Sequence, residues 1–264
     1  MLAYVTAAEF VRPMDSGRTC PLIVNCETGD GAIVTAVAKF SDFCDLRTAN
    51  LAREVIGACL AADLGLPVPE PLLIEVPDGW HEVIGEIPRR QRVAASSRIA
   101  FGTRLITGGY HAWTPDTRIT EAMFELACQV FAFDGITQNS DRRVGNPNCL
   151  VRGEEIRLID HELAFAHRFI LGWRPPWERG GLNWLERKGS HIFLADLRRN
   201  GGAEFATFQQ RWSDISDDRL AEYRAVIPPE WNDAALEIDS ALDLIRNARG
   251  NIASCITELR RVLT

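Results

Sequence analysis

Phe133-Asp134-Gly135-Ile136-Thr137-Gln138-Asn139-Ser140-Asp141-Arg142-Arg143-Val144-Gly145-Asn146-Pro147-Asn148-Cys149-Leu150, followed by Leu158-Ile159-Asp160-His161-Glu162, is the stretch on which the reading of the chain turns. Its density of Asn, Asp, Gly and Pro predicts a structured loop rather than a helix over Phe133–Leu150. Glu155–Ile159 reads as a short strand that carries Asp160 at its end. Two readings of the Asp141-x₄-Asn146…Asp160 spacing stand side by side. In the first, side chains of an Asx-rich loop cap their own backbone. In the second, the loop performs phosphoryl transfer, which needs a carboxylate to orient the attacking hydroxyl and oxygen ligands to hold Mg²⁺ on the phosphates. Asp141 then orients or deprotonates the nucleophile, and Asn146 and Asp160 bind the metal.

Working outward toward the N-terminus, Leu22–Val24 and Ala32–Phe40 are β-prone runs flanking Glu27-Thr28-Gly29-Asp30-Gly31, a hairpin turn signal. An earlier turn, Met14–Thr19, follows Phe10–Val11. A helix is predicted from Thr48 to Leu64, with Leu51, Val55, Ala58 and Ala62 as its apolar stripe and Gly65 and Pro67 ending it. Extended segments follow at Pro71–Val76 and Ile99–Ile106. On the C-terminal side the pattern turns helical, with Thr120 as an N-cap before Met123, Leu126, Ala127 and Val130. Much of Ser190–Thr264 is helical, closing on the face Ile252, Ile256, Leu259 and Leu263. The order predicts an α+β protein, mainly β with one inserted helix and then mainly α.

Lys39 ends an apolar strand and Glu54 borders the buried stripe of the first helix. A carboxylate placed there calls for a cationic partner, which favours a Lys39–Glu54 pair over ordinary surface charges.

Asn139-Ser140-Asp141-Arg142-Arg143-Val144-Gly145-Asn146-Pro147-Asn148 with Leu158-Ile159-Asp160-His161 resembles the catalytic and metal loops of HipA-like kinases, relatives of the HipA Ser/Thr kinases and more distantly of phosphatidylinositol kinases. Lys39 at a strand end, Glu54 on the next helix and its closing Ala61–Pro69 extend the resemblance over roughly Val11–Phe165. It implies a two-lobed protein-kinase-like fold, with a β-rich N-lobe at 1–107 carrying one helix and a larger mainly helical C-lobe at 108–264. It implies ATP and Mg²⁺ as cofactors, Asp141 as catalytic Asp, Asn146 and Asp160 as metal ligands, Lys39 as the phosphate-contacting lysine and Glu54 as its orienting partner. Ser16, Gly17, Arg18 and Thr19 fall where such proteins carry a phosphate-covering loop, and Ile99–Ile106 where the adenine-binding hinge lies. The chain departs from the pattern at Arg143, where relatives carry His; an arginine there neutralises phosphate charge instead. The implied activity is phosphorylation of a Ser/Thr hydroxyl, with a protein or small molecule as acceptor. A nucleotide-binding pseudokinase or interaction module, and a kinase-fold transferase of AMP, are the alternatives.

The bulk numbers bound the partners. A net charge of −7 over 264 residues argues against a broad grip on nucleic acid or anionic lipid. Met1–Val11 lacks the pattern of a secretory signal, and no apolar run is long enough to span a bilayer. Seven cysteines, scattered and without a Cys-x-x-Cys pair, predict neither zinc site nor disulfide framework and fit a reducing cytoplasm. The histidines His81, His111, His167 and His191 lack metal-ligand spacing, and His161 reads as structural. Trp173, Trp177 and Trp184 read as packing residues around an irregular loop. Of the paired arginines, Arg142-Arg143 are the ones placed to touch substrate or phosphate.

Overall fold

The computed structural model describes residues 2–15 and 17–264, so Ser16 of the expected phosphate-covering loop lies outside the described residues. The chain divides into two compact units. One holds residues up to Ile56 with Pro69–Thr107 and Glu222–Ile238; the other holds Gly57–Val68, Gly108–Ala221 and Asp239–Thr264. Helices and strands are both abundant, an α+β composition as expected.

In the first unit β1 (Ala3–Pro13), β2 (Leu22–Thr28), β3 (Ile33–Lys39), β4 (Pro71–Glu75) and β5 (Ile99–Arg104) close a barrel in the order β1-β2-β3-β5-β4. The β1–β4 contact is parallel and the others are antiparallel. Closure leaves no strand edge unpaired. The β2–β3 register sets Leu22 opposite Ala38, Val24 opposite Ala36 and Cys26 opposite Val34. These alternate residues share one buried cluster with Val5, Ala7, Leu72, Ile74 and Ala100, which is the barrel interior. The hairpin turn stands where the Asp30-Gly31 signal put it, with Thr28 N–H donating to Ala32 O at 2.9 Å.

The expected single helix of the β-rich part is α1 (Thr48–Asp63), but a second, α2 (Ile87–Ala94), is also present. Only Val93 of α2 is buried, so the segment carries no apolar stripe to betray it. Pro88 sits in its first turn, where a missing N–H costs nothing.

The second unit is built around α3 (Glu121–Thr137), which extends through Phe133–Thr137 where the sequence predicted loop. Every residue from Ala127 to Thr137 is buried. A helix buried all round shows no amphipathic period, and Gly135 in its last turns reads falsely as a breaker. Thr120 occupies the N-cap position without a capping bond; its hydroxyl donates to Glu154 at 2.8 Å instead. A small sheet follows: β6 (His111–Ala112), β7 (Cys149–Arg152) and β8 (Glu155–Leu158). The C-terminal region is helical as expected, with α4 (Leu194–Asn200), α5 (Ala206–Ser213), α6 (Asp217–Ala225), α7 (Ala235–Gly250) and α8 (Ile252–Leu263). All seven cysteines are free, and among the described residues no helix is long and apolar enough to cross a membrane.

Candidate active site

In the barrel wall, Ala36 and Ala38 face the interior, so the period of two turns Lys39 to the opposite face. There its ammonium meets the Glu54 carboxylate of α1 in a charge-assisted hydrogen bond and ion pair. Lys39 is 8% exposed and Glu54 2%. The expected pairing is thus present. Gly17, Arg18 and Thr19 lie in the turn joining β1 to β2, which is closed by Met14 N–H donating to Pro21 O. Thr19 is buried, and the Arg18 guanidinium is engaged by Asp45.

The second unit holds the loop of Asp141 and Asn146. Asp141 Oδ2 accepts from Asn146 Nδ2 at 2.7 Å and from Asn148 Nδ2 at 3.1 Å. Both amide nitrogens are committed to the carboxylate, so both amide oxygens point away from it. The Asn146 oxygen is therefore available as a hard ligand. Asp141 N–H donates to Asn139 Oδ1 at 3.3 Å, a local Asx bond of the kind expected of a loop whose side chains cap their own backbone. Arg143 Nε stands 3.8 Å from Asp141 Oδ1, on the side the asparagines leave open.

The β7–β8 hairpin brings Asp160 to the same loop. Cys149 pairs with Leu158, and the ladder continues one step as Ile159 N–H donates to Asn148 O at 3.1 Å. Asp160 follows directly, so its backbone runs beside the Asn146–Asn148 turn. Its φ of +62° is left-handed, as are those of Gln138, Asn148 and Phe165. Four of the six non-glycine residues with positive φ among the described residues thus lie in this region, at a cost of about 1–2 kcal/mol each. Such strain collects where a site dictates the backbone. Asp160 and Glu162 each offer a carboxylate oxygen within 4.8 Å of the other. Carboxylate and amide oxygens are the donors that Mg²⁺ takes, and the set contains none of the sulfur or imidazole that would favour a softer metal.

Beneath the loop lies a charged cluster with no solvent access. Asp134 Oδ2 accepts from Arg142 Nε at 2.7 Å and from His191 Nε2 at 3.0 Å, while Oδ1 accepts from Asn139 Nδ2 at 2.7 Å. The Arg142 fork reaches further, to the carbonyls of Asn148 and, at 3.2 Å, Ile159. One guanidinium therefore ties α3 to the segments carrying Asn146 and Asp160. His191 Nδ1 accepts the Phe193 N–H at 3.1 Å, which fixes the neutral tautomer with its proton on Nε2. Burial drives the His191 pKa below its ordinary value, and the Arg142 charge adds to that, against the pull of Asp134. Burial pushes the Asp134 carboxyl up, yet Arg142 and the His191 bond outweigh it and hold the acid below its ordinary range.

Arg142 was expected at substrate together with Arg143; it is instead fully buried, and only Arg143 is exposed. The spacing of Asp141, Asn146 and Asp160 carries no sign of Asp134, Asn148, His191 or Glu162. Asn148 stood inside the quoted loop, two places beyond Asn146, and its amide on Asp141 was within reach of an Asx argument. Asp134 was hidden by the loop reading of a helix end. His191 lies fifty-seven places from Asp134 and carries no local signal.

No curated protein matches this chain. A family model described as HipA-like kinase matches residues 7–258, nearly its whole length. The loop built on Asp141, Asn146 and Asp160 belongs to that match, and the chain is a member of the HipA-like kinase family.

Proposed function

We propose that the protein is an ATP- and Mg²⁺-dependent phosphotransferase with a two-lobed kinase-like fold, a β-rich lobe to about residue 107 and a helical lobe beyond it, acting on a Ser/Thr hydroxyl of a protein. Membership of the family supports a kinase-type phosphotransferase in general and, with it, the use of ATP. The observation that carries the finer reading is the Asp141 carboxylate, oriented through one oxygen by the amides of Asn146 and Asn148. A carboxylate fixed in this way presents its second oxygen to an acceptor hydroxyl.

In the proposed step the acceptor oxygen bonds the γ-phosphorus, the bond from phosphorus to the ADP oxygen breaks, and the acceptor proton passes to Asp141. Asn146 and Asp160, with Glu162 beside them, would hold Mg²⁺, which neutralises phosphate charge when bound. Lys39 is assigned to the ATP phosphates and Glu54 to orienting it. Gly17, Arg18 and Thr19, together with Ser16, are assigned to covering the phosphates.

The test is turnover of ATP with Mg²⁺, and phosphate incorporation read by mass spectrometry, for wild type, Asp141→Ala and Asp160→Ala. Each variant is expected to lose at least about a hundredfold in rate, the scale of a general base or a metal ligand. Turnover that survives both changes refutes the assignment. A mass increment of AMP instead of phosphate identifies a nucleotidyl transferase.

A further inference from the structure

Arg187-Lys188-Gly189-Ser190 forms a tight turn closed by Ser190 N–H donating to Arg187 O at 3.1 Å. Gly189 holds φ at +79°, a conformation that a side chain at this third position would strain. The turn is docked on the catalytic loop by backbone bonds. Gly189 O accepts the Val144 N–H at 3.1 Å, and Ile192 N–H donates to Arg142 O at 3.2 Å. This pairing bonds the residue after Arg143 to the residue after Lys188, and Arg143, Arg187 and Lys188 are all exposed.

The charges are poorly compensated. Among the described residues neither Arg187 nor Lys188 has an acidic partner at ion-pair distance, and the neighbouring Glu186 is held by Arg261. Arg143 lies near Asp141, with its side chain 54% exposed. Arg143 thus stands at the carboxylate proposed to receive the acceptor hydroxyl, and the turn bonded to the next residue, Val144, adds two exposed cations, on a chain whose net charge is −7. The overall field repels a polyanion such as RNA, whereas a short acidic segment feels mainly the rim once it is within a Debye length.

We infer that the acceptor is an acidic polypeptide segment, whose carboxylates flanking the reactive hydroxyl are received by Arg143, Arg187 and Lys188. This rests on the phosphotransferase reading of Asp141. Carboxylates at the rim give orientation and on-rate more than bulk affinity, so recognition is salt-dependent.

The experiment measures binding without ATP, which separates it from the turnover test. Three fluorescein-labelled probes are titrated with the full chain at low salt and read by anisotropy: a serine peptide with glutamate flanks, the same peptide with lysine flanks, and a short single-stranded RNA. The glutamate peptide is expected to bind at least about tenfold more tightly than the other two, and raising the salt weakens it. The double variant R187E/K188E is expected to erase that preference. R118E, the same kind of reversal at an exposed arginine elsewhere, is expected to leave it intact. Equal binding of the two peptides, tighter binding of RNA, or a glutamate preference unchanged in R187E/K188E overturns the inference. If the preference is confirmed while Asp141→Ala has no effect on turnover, the phosphotransferase reading fails and the acidic docking rim stands.

Discussion

Two buried pairs of opposite charge in this molecule are held in two different ways. In the barrel unit Lys39 brings a compact ammonium to the Glu54 carboxylate, and its side chain keeps 10% of its exposure. In the other unit Arg142 spreads a planar fork over Asp134 and two backbone carbonyls, with both charges at 0% exposure. A point charge on a flexible stem fixes little more than a distance, and it can turn toward another anion. A fork with three acceptors fixes orientation and cannot move without stripping two carbonyls of their donor. A buried ion pair contributes little net stability compared with apolar packing of the same volume, so stability alone explains neither. The lysine suits the phosphate-contacting role proposed for it, and the arginine suits a frame that must not shift.

The largest expected break in this comparison is Asp134→Ala. It removes the acceptor of Arg142, His191 and Asn139 together and leaves a guanidinium buried without its counter-charge. A loss of about 3–5 kcal/mol is expected by chemical denaturation, enough to unfold a marginal domain. Arg142→Lys comes next. It keeps the charge but cannot reach Asp134, Asn148 O and Ile159 O at once, so about 1.5–3 kcal/mol is expected to be lost. Lys39→Met sharpens the contrast from the other side. A methionine fills the same volume but leaves Glu54, 2% exposed, without this cation, so a cost of about 3 kcal/mol is expected, with ATP turnover abolished. If Lys39→Met costs more stability than Asp134→Ala, the division into mobile charge and rigid frame is wrong.

What the sequence made legible follows the same line. Groups that act over short stretches could be read: the Asp30-Gly31 turn, the limits of α1, the β8 strand and the Asp141–Asn146 loop. Each owes its geometry to neighbours in the chain. Lys39 and Glu54 were legible as well, because an isolated carboxylate at a buried edge must find a cation. The frame was not legible, since His191 reaches Asp134 only through the tertiary fold. The end of α3 was misread for a related reason: complete burial removes the alternation of apolar and polar faces from which a helix is recognised. The closed barrel stayed hidden because β1 joins β4 in parallel across almost seventy residues, a pairing that no turn signal announces.

The smallest effect expected is the most specific to the frame. His191 is buried and neutral, with its pKa driven below the ordinary value, first by burial and then by Arg142. The unfolded chain presents this histidine at about pKa 6.5. Below that pH the unfolded state binds a proton that the folded state refuses. Stability contributed by His191 is therefore complete above about pH 6.5 and is lost as pH falls toward the depressed folded value, with a slope of at most about 1.4 kcal/mol per pH unit. Denaturation midpoints of wild type and His191→Asn between pH 5 and 7.5 isolate the difference: the two stability curves should diverge at neutral pH and converge on acidification. Parallel curves would mean that folding leaves the proton affinity of His191 unchanged, and a wild type that gains on the variant with acidification would mean that the folded protein holds this histidine protonated.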